Sequence, residues 1–314
     1  MNTIENFESV NENQKKRDRR KLHIFAILRK IFSNLLYVVL YLTIAFVFIT
    51  PLIYVLGNSF RTSQQIWANV FPVSWKSFIP YEGISLLNYI QALGLDVTSK
   101  GLGLNLSQAL WISLSTSVCV VLLSLIFNTG AAYFFGRLKF PKKKWILVFV
   151  VATMMIPQQV VLVPLYLVVN QLGLVNTFWA MVIPWYASPF IVFALTQFFA
   201  DLPYELDEAA TIDGANLFQI LWKIIIPNSL PGLLTVSLLE FQFIWNEFYW
   251  PLIAISNQKL YPIQIAIATQ FTDRDPQWGR VFAAMVIASL PVILLFLFLQ
   301  KYFYENAAMS GIKG

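Results

Sequence analysis

Charge is nearly absent from five long stretches of this chain. Ile31–Leu56, Ala109–Phe135, Trp145–Ala200 and Val281–Gln300 carry no charged residue, and Gly232–Ser256 carries only Glu240 and Glu247. A helix needs about 20 apolar residues to cross about 30 Å of hydrocarbon. Trp145–Ala200 is too long for one such helix and suits two, parted at Asn170–Thr177 (NQLGLVNT), a run of turn formers. The pattern predicts an all-α membrane protein with six transmembrane helices, at about 31–56, 109–135, 145–168, 178–199, 232–256 and 281–300. A basic segment, 1–30, precedes this 31–314 bundle.

The cations orient it. With the N-terminus inside, sixteen of the 22 Lys and Arg fall in inside segments and six in outside ones. Positive loops stay in the cytoplasm, so both termini are expected there. The basic run Lys15–Lys21 then serves as a topology signal, with anionic lipid headgroups as a secondary partner. The 26-residue apolar run behind it is too long for a cleaved signal and reads as an uncleaved first span. Residues 1–14 are polar and expected to lack fixed structure. Gly57–Ser107 is expected to form short helices over the outer face of the bundle.

Composition agrees. The chain has 314 residues, 58% hydrophobic and 12% charged, with mean hydropathy +0.64. Soluble domains carry about 25% charged residues. The net charge of +6 sits at the ends of apolar runs, which argues against a nucleic-acid partner. A lone cysteine, Cys119, within VCVVLLSLIF reads as a small buried hydrophobe. A lone histidine, His23, suggests neither metal site nor catalytic base.

One inside segment breaks the basic rule. Asp201–Leu230 carries Glu205, Asp207, Glu208 and Asp213 before its single lysine, Lys223. Asp201 suits an N-cap and Pro203 a first helical turn. Asp213-Gly214 marks a turn. A second helix over Asn216–Ile225 presents Leu217, Ile220, Leu221 and Ile224 at helical spacing, and Pro227 and Pro231 are expected to stop it. Interfacial lipid anchors carry Lys and Arg on the polar face. An acidic face points instead to a basic groove on a protein partner.

These residues resemble the EAA loop of permease subunits of binding-protein-dependent ABC importers. The family pattern is E-A-A, three residues, G, nine residues, then I-x-L-P. Here Glu208-Ala209-Ala210 is followed by Gly214 and by Ile224-Ile225-Ile226-Pro227, with Ile226 in place of Leu. Met154–Tyr166, Phe241–Leu252 and the tail from Gln300 are similar to the carbohydrate, maltose-transporter-type branch, although Asn306 stands where that tail has Gly. The likeness covers about residues 30–314.

The resemblance implies a non-catalytic pore subunit in a bacterial or archaeal cell membrane. It implies a second homologous permease as heterodimer partner, two ATPase subunits, an extracytoplasmic solute-binding protein and a carbohydrate cargo. Residues 201–230 would be the cytoplasmic coupling helix segment between spans 4 and 5, with Glu205, Asp207, Glu208, Ala209, Ala210, Asp213 and Gly214 at the ATPase contact. The chain has no G-x-x-x-x-G-K-[ST], so no cofactor is expected on it, and ATP and Mg belong on the ATPases. In the maltose-type branch the last outer loop can reach the binding protein, which implies Asp273, Arg274 and Asp275 as contacts.

Carboxylates inside a membrane are costly and mark function by default. Glu240 and Glu247 are seven apart, which places them on one helix face. With Gln242, Trp245, Asn246 and Tyr249 they offer the acceptors and rings a sugar needs. The same residues serve equally as helix-to-helix ties and an aromatic belt. An ion-coupled secondary transporter is the alternative, though it would favour internal repeats and paired titratable groups. A membrane enzyme would need a clustered His/Asp/Cys/Glu site, and none is evident.

Overall fold

The computed structural model describes the backbone of residues 2–95, 105–271 and 276–311, and the side chains of residues 29–95, 105–271 and 276–301. Two compact units result, Met1–Gly57 and Asn58–Gly314. Among the described residues every regular element is helical.

The first unit is helix α1, Asn2–Asn58, without its last residue. It contains the 31–56 run. The polar residues 2–14 continue the same helix, which corrects the expectation that they lack structure. Neither Gly nor Pro interrupts residues 2–50, so the backbone meets no breaker before Pro51.

The second unit holds α2 (Ser63–Ala68), α3 (Leu87–Ala92), α4 (Leu106–Arg137), α5 (Lys143–Thr153), α6 (Gln158–Gln171), α7 (Phe178–Val182) and α8 (Pro189–Ala200). After these come α9 (Glu205–Ile212), α10 (Leu217–Ile220), α11 (Ile226–Asn228), α12 (Leu230–Trp245), α13 (Tyr249–Ala254), α14 (Ile263–Phe271) and α15 (Trp278–Gly311). Arg29–Asn58, Leu106–Arg137 and Trp278–Lys301 are each long and apolar enough to cross a membrane. Counting bent pairs as single spans raises the number to five among the described residues.

Three of the expected helices are broken. The 145–168 run bends by 95° between α5 and α6. Pro157 cannot donate a backbone hydrogen bond, and α6 restarts behind it. The 178–199 run parts into α7 and α8 across Pro184, and the 232–256 run parts into α12 and α13 at Asn246–Phe248.

Backbone groups freed in hydrocarbon must find new partners, and polar side chains supply them. Buried Asn128 of α4 donates to the Tyr186 carbonyl at 2.9 Å and accepts from the Ser188 amide at 3.3 Å. Ser113 of α4 accepts from the first amide of α14, Ile263, at 2.7 Å. Trp250 donates from Nε1 to the Ala180 carbonyl at 2.8 Å, tying α13 to α7. Trp245 does the same to Ala288 at 3.1 Å, tying α12 to α15.

The segment between α1 and α4 contains the expected short helices, α2 and α3, and both pack on α15. It winds around Arg61, which is 2% exposed. Arg61 donates to Asn58 Oδ1 at 3.0 Å and to the Lys76 and Gln65 carbonyls at 3.0 and 2.8 Å. Beside it, the hydrogen bond from Tyr81 lowers the pKa of Glu82 below the usual carboxylate value. Asn88 donates to the Ser59 and Arg61 carbonyls, and Gly279 in the first turn of α15 closes against the same place.

A β-carbon at Gly279 would overlap the Arg61 carbonyl oxygen and lie 2.5 Å from Asn88 Nδ2. Alanine ordinarily favours a helix over glycine by about 1 kcal/mol. Here the overlap wins, because overpacking costs about 1–3 kcal/mol. Gly279→Ala is therefore expected to lower the thermal unfolding midpoint in detergent. A raised midpoint would refute the close contact.

Candidate functional site

The acidic segment starts later than its sequence suggests. Asp201 is not an N-cap. It ends α8, with its amide donating to the Gln197 carbonyl at 3.1 Å. Leu202 precedes a proline, a position that disfavours helix. Helix α9 resumes only at Tyr204, whose carbonyl accepts from the Asp207 and Glu208 amides at 3.0 and 3.2 Å.

Gly214 explains the glycine of the motif. Its φ is +81°, a left-handed conformation that suits glycine. The Ala215 amide donates to the Ala210 carbonyl at 2.9 Å and the Gly214 amide to Thr211 at 3.0 Å. This pair of bonds is a Schellman cap. Asn216 and Gln219 then form a reciprocal capping box that starts α10.

Pro227 does not stop the second helix. Residues Leu221–Ile225 widen into a π-helical turn, and Pro227 sits inside α11 beyond it. The missing proline N–H leaves the Lys223 carbonyl without its i+4 donor, and Asn228 Nδ2 takes up the next carbonyl, Ile224, at 2.7 Å. The chain then bends by 81° into α12, whose first turn holds Pro231.

The two faces of α9 differ. Asp207 and Ala210 turn inward. Ala210 joins Ala132, Tyr133, Ile191, Leu195, Phe199, Ile220 and Ile225 in one core. Asp207 Oδ2 accepts from Arg137 Nε at 2.8 Å, and the Arg137 side chain is fully buried. Arg137 also donates to the Phe199, Leu202 and Pro203 carbonyls at 3.1, 2.7 and 2.9 Å. Its guanidinium carbon lies 4.3 Å from the Tyr204 ring centroid. Glu205, Glu208, Ala209, Asp213 and Gly214 are exposed. Among them stand apolar side chains, Ile212 at 86% exposure and Phe218 at 69%, with Leu217 and Trp222 also exposed.

Arg137, Ile212, Phe218 and Trp222 were not among the expected site residues. Arg137 counted only as one of the inside cations. Its place in the last turn of an apolar helix is the signal that could have singled it out.

The membrane residues separate. Glu240 and Glu247 do not share a helix face, because α12 ends at Trp245. Glu247 lies in the break, where its Oε1 accepts from the Trp250 amide at 2.9 Å and its Oε2 from Gln158 Nε2 at 3.1 Å. It thus caps α13 and ties it to α6. Glu240, 6% exposed, borders a cavity of about 620 Å³ together with Gln158, Trp185, Ser188, Phe190 and Phe243. Gln242, Trp245 and Asn246 border a second cavity, about 590 Å³, with Gln264 and Ser289. Trp245 is buried and stacks on Phe241 at 5.5 Å. Tyr249 is exposed and borders neither cavity. Asp273, Arg274 and Asp275 lie outside the described residues. Among the described residues no three His, Cys, Asp or Glu side chains converge as metal ligands would.

Known proteins match this arrangement. Residues 128–307 match the family described as binding-protein-dependent transport system inner membrane component. The chain is 32% identical over 269 residues to a probable ABC transporter permease protein, YurM, of Bacillus subtilis, covering 84% of this chain and 83% of that one. It is 30% identical over 277 residues to the arabinooligosaccharides transport system permease protein AraQ of Halalkalibacterium halodurans, covering 86% and 93%. The fold matches a chain of a bacterial ABC transporter involved in the import of the acidic polysaccharide alginate. The TM-score is 0.76 at 23% identity, over 87% of this chain and 97% of that one. The chain belongs to the family of binding-protein-dependent transport system inner membrane components, and is a membrane permease subunit of an ABC importer.

Proposed function

We propose that the chain forms half of a pore that imports an oligosaccharide or related sugar delivered by an extracytoplasmic solute-binding protein. A second, homologous permease supplies the other half as a heterodimer. Two ATPase subunits, which hold ATP and Mg, drive it from the cytoplasm. The sugar assignment rests on the relatives, among them the arabinooligosaccharide permease that this chain matches over 86% of its length.

In this reading six spans cross the membrane: α1, α4, α5 with α6, α7 with α8, α12 with α13, and α15. Both termini and α9–α11 are cytoplasmic. The sixteen-to-six split of Lys and Arg supports that orientation. The ATPase seats on the exposed face of α9, where Glu205, Glu208 and Asp213 rim Ile212. Charged rims around a protruding apolar side chain are the usual anatomy of a docking surface. Asp207 and Ala210 belong to the inward face and support the contact from behind. Asp273, Arg274 and Asp275 remain the proposed contacts for the binding protein.

Cargo passes the cavity beside Glu240. That carboxylate has no hydrogen-bonding partner among the described residues, and the aromatic residues Trp185, Phe190 and Phe243 line the same cavity. Gln242 and Asn246 edge the second cavity and are the further candidates, while Trp245, Glu247 and Tyr249 recede to structural duties or lie off both cavities.

Proteoliposomes containing the permease pair, its ATPases and its loaded binding protein should take up labelled arabinooligosaccharides only with ATP. Uptake by the permease alone, driven by a proton gradient, would sink the importer reading. Ile212→Asp should weaken copurification of the ATPases by at least about 30-fold, as for a central apolar anchor. Glu240→Ala should cut uptake with ATPase association intact. Unchanged uptake would move the cargo path to the second cavity.

A further inference from the structure

We infer that Arg137 is a positioning residue that makes α9 move as one body with α4 and α8, so that a displacement imposed on α9 reaches the membrane helices. The inference rests on the reading of α9 as the ATPase contact.

Three chain segments end at this guanidinium. Arg137 is the last residue of α4. The Phe199 carbonyl belongs to the last turn of α8, where helix carbonyls have no partner within the helix. The Leu202 and Pro203 carbonyls belong to the turn that leads to α9, and Asp207 lies on α9 itself. Four donated bonds of 2.7–3.1 Å run from the one side chain to these four acceptors. Tyr204 covers the guanidinium, and its hydroxyl donates back to the Gly136 carbonyl at 3.3 Å.

Without that clamp the joint is weak. Along the chain only Asp201–Tyr204 connects α8 to α9, Pro203 cannot donate within it, and the apolar packing of Ala210 is non-directional. A push on α9 would bend the joint rather than move α8. With the clamp, bending requires breaking charge-assisted bonds in a buried place, where each unmet group is costly. The packing behind it is equally close. A β-carbon on Gly136 would lie 3.0 Å from Phe199 Cβ, so α4 and α8 touch where the clamp begins. Lysine cannot replace the fork, since one ammonium cannot reach an acceptor on each of these segments at fixed angles.

The test reads a distance. Spin labels at Lys139→Cys, beyond the end of α4, and Thr211→Cys, on α9, are placed in a Cys119→Ser background of the full importer. The distance between them is measured without nucleotide and after trapping with ATP and vanadate. In the native clamp it should stay within about 1 Å between the two states, although helices of such machines shift by more. In Arg137→Met it should change by more than about 2 Å on trapping. A residue needed only for folding would broaden both states alike, and that result would overturn the inference, as would an unchanged distance in Arg137→Met. Arg137→Lys should fall between the two, and full rescue would refute the need for the fork. Should Arg137→Met not assemble, Tyr204→Leu keeps the ion pair and should still loosen the trapped state. No change there would also count against the clamp. Ile212→Asp separates the two readings. If it leaves the ATPases bound, the docking reading fails whatever Arg137 does.

Discussion

The structure depends on one constraint: a backbone group that leaves its helix inside hydrocarbon must find another partner there. This chain breaks three of its apolar runs, and a polar side chain stands at each break. Asn128 serves the α7–α8 break. Glu247 serves the α12–α13 break and is held in turn by Gln158 beside the α5–α6 break. Trp250 spans from α13 to α7. These polar residues are thus occupied by the protein itself. Glu240 differs, because it faces a cavity and meets no such backbone need.

The same constraint decides what could be read from the sequence. The apolar runs were legible, since each must be long enough to matter to a bilayer, and each is largely helical. Their breaks were only partly so. Pro157, Pro164, Pro184 and Pro189 all look alike in sequence, yet Pro164 sits inside α6 and Pro189 begins α8, while Pro157 and Pro184 stand at breaks. What separates them is a partner elsewhere in the chain, such as Asn128, 58 positions before Tyr186. The placing of Glu240 and Glu247 on one face failed for this reason, as it assumed a continuous helix.

The acidic segment was the most legible part of the site. Its spacing located Gly214, and the Schellman cap supplies the physical reason for that spacing. Its two faces were hidden. Glu205, Asp207, Glu208 and Asp213 look equivalent as a charge run, but Arg137, 70 positions before Asp207, claims one of them. The exposed Ile212 was also hidden, because the motif leaves the residues between Ala210 and Gly214 unspecified.

The bend at Ser229 has a geometric consequence. Residues 217–228 and helix α12 meet at 81°, which makes them the two arms of a crank. Glu240 stands ten residues along the second arm, about 15 Å from the corner at the usual helical rise. Tilting that arm by about 5° would carry the carboxylate about 1.3 Å sideways at this radius. Such a stroke is comparable to the tolerance of a hydrogen bond. A small rotation at this corner is therefore enough to make or unmake a polar contact at Glu240.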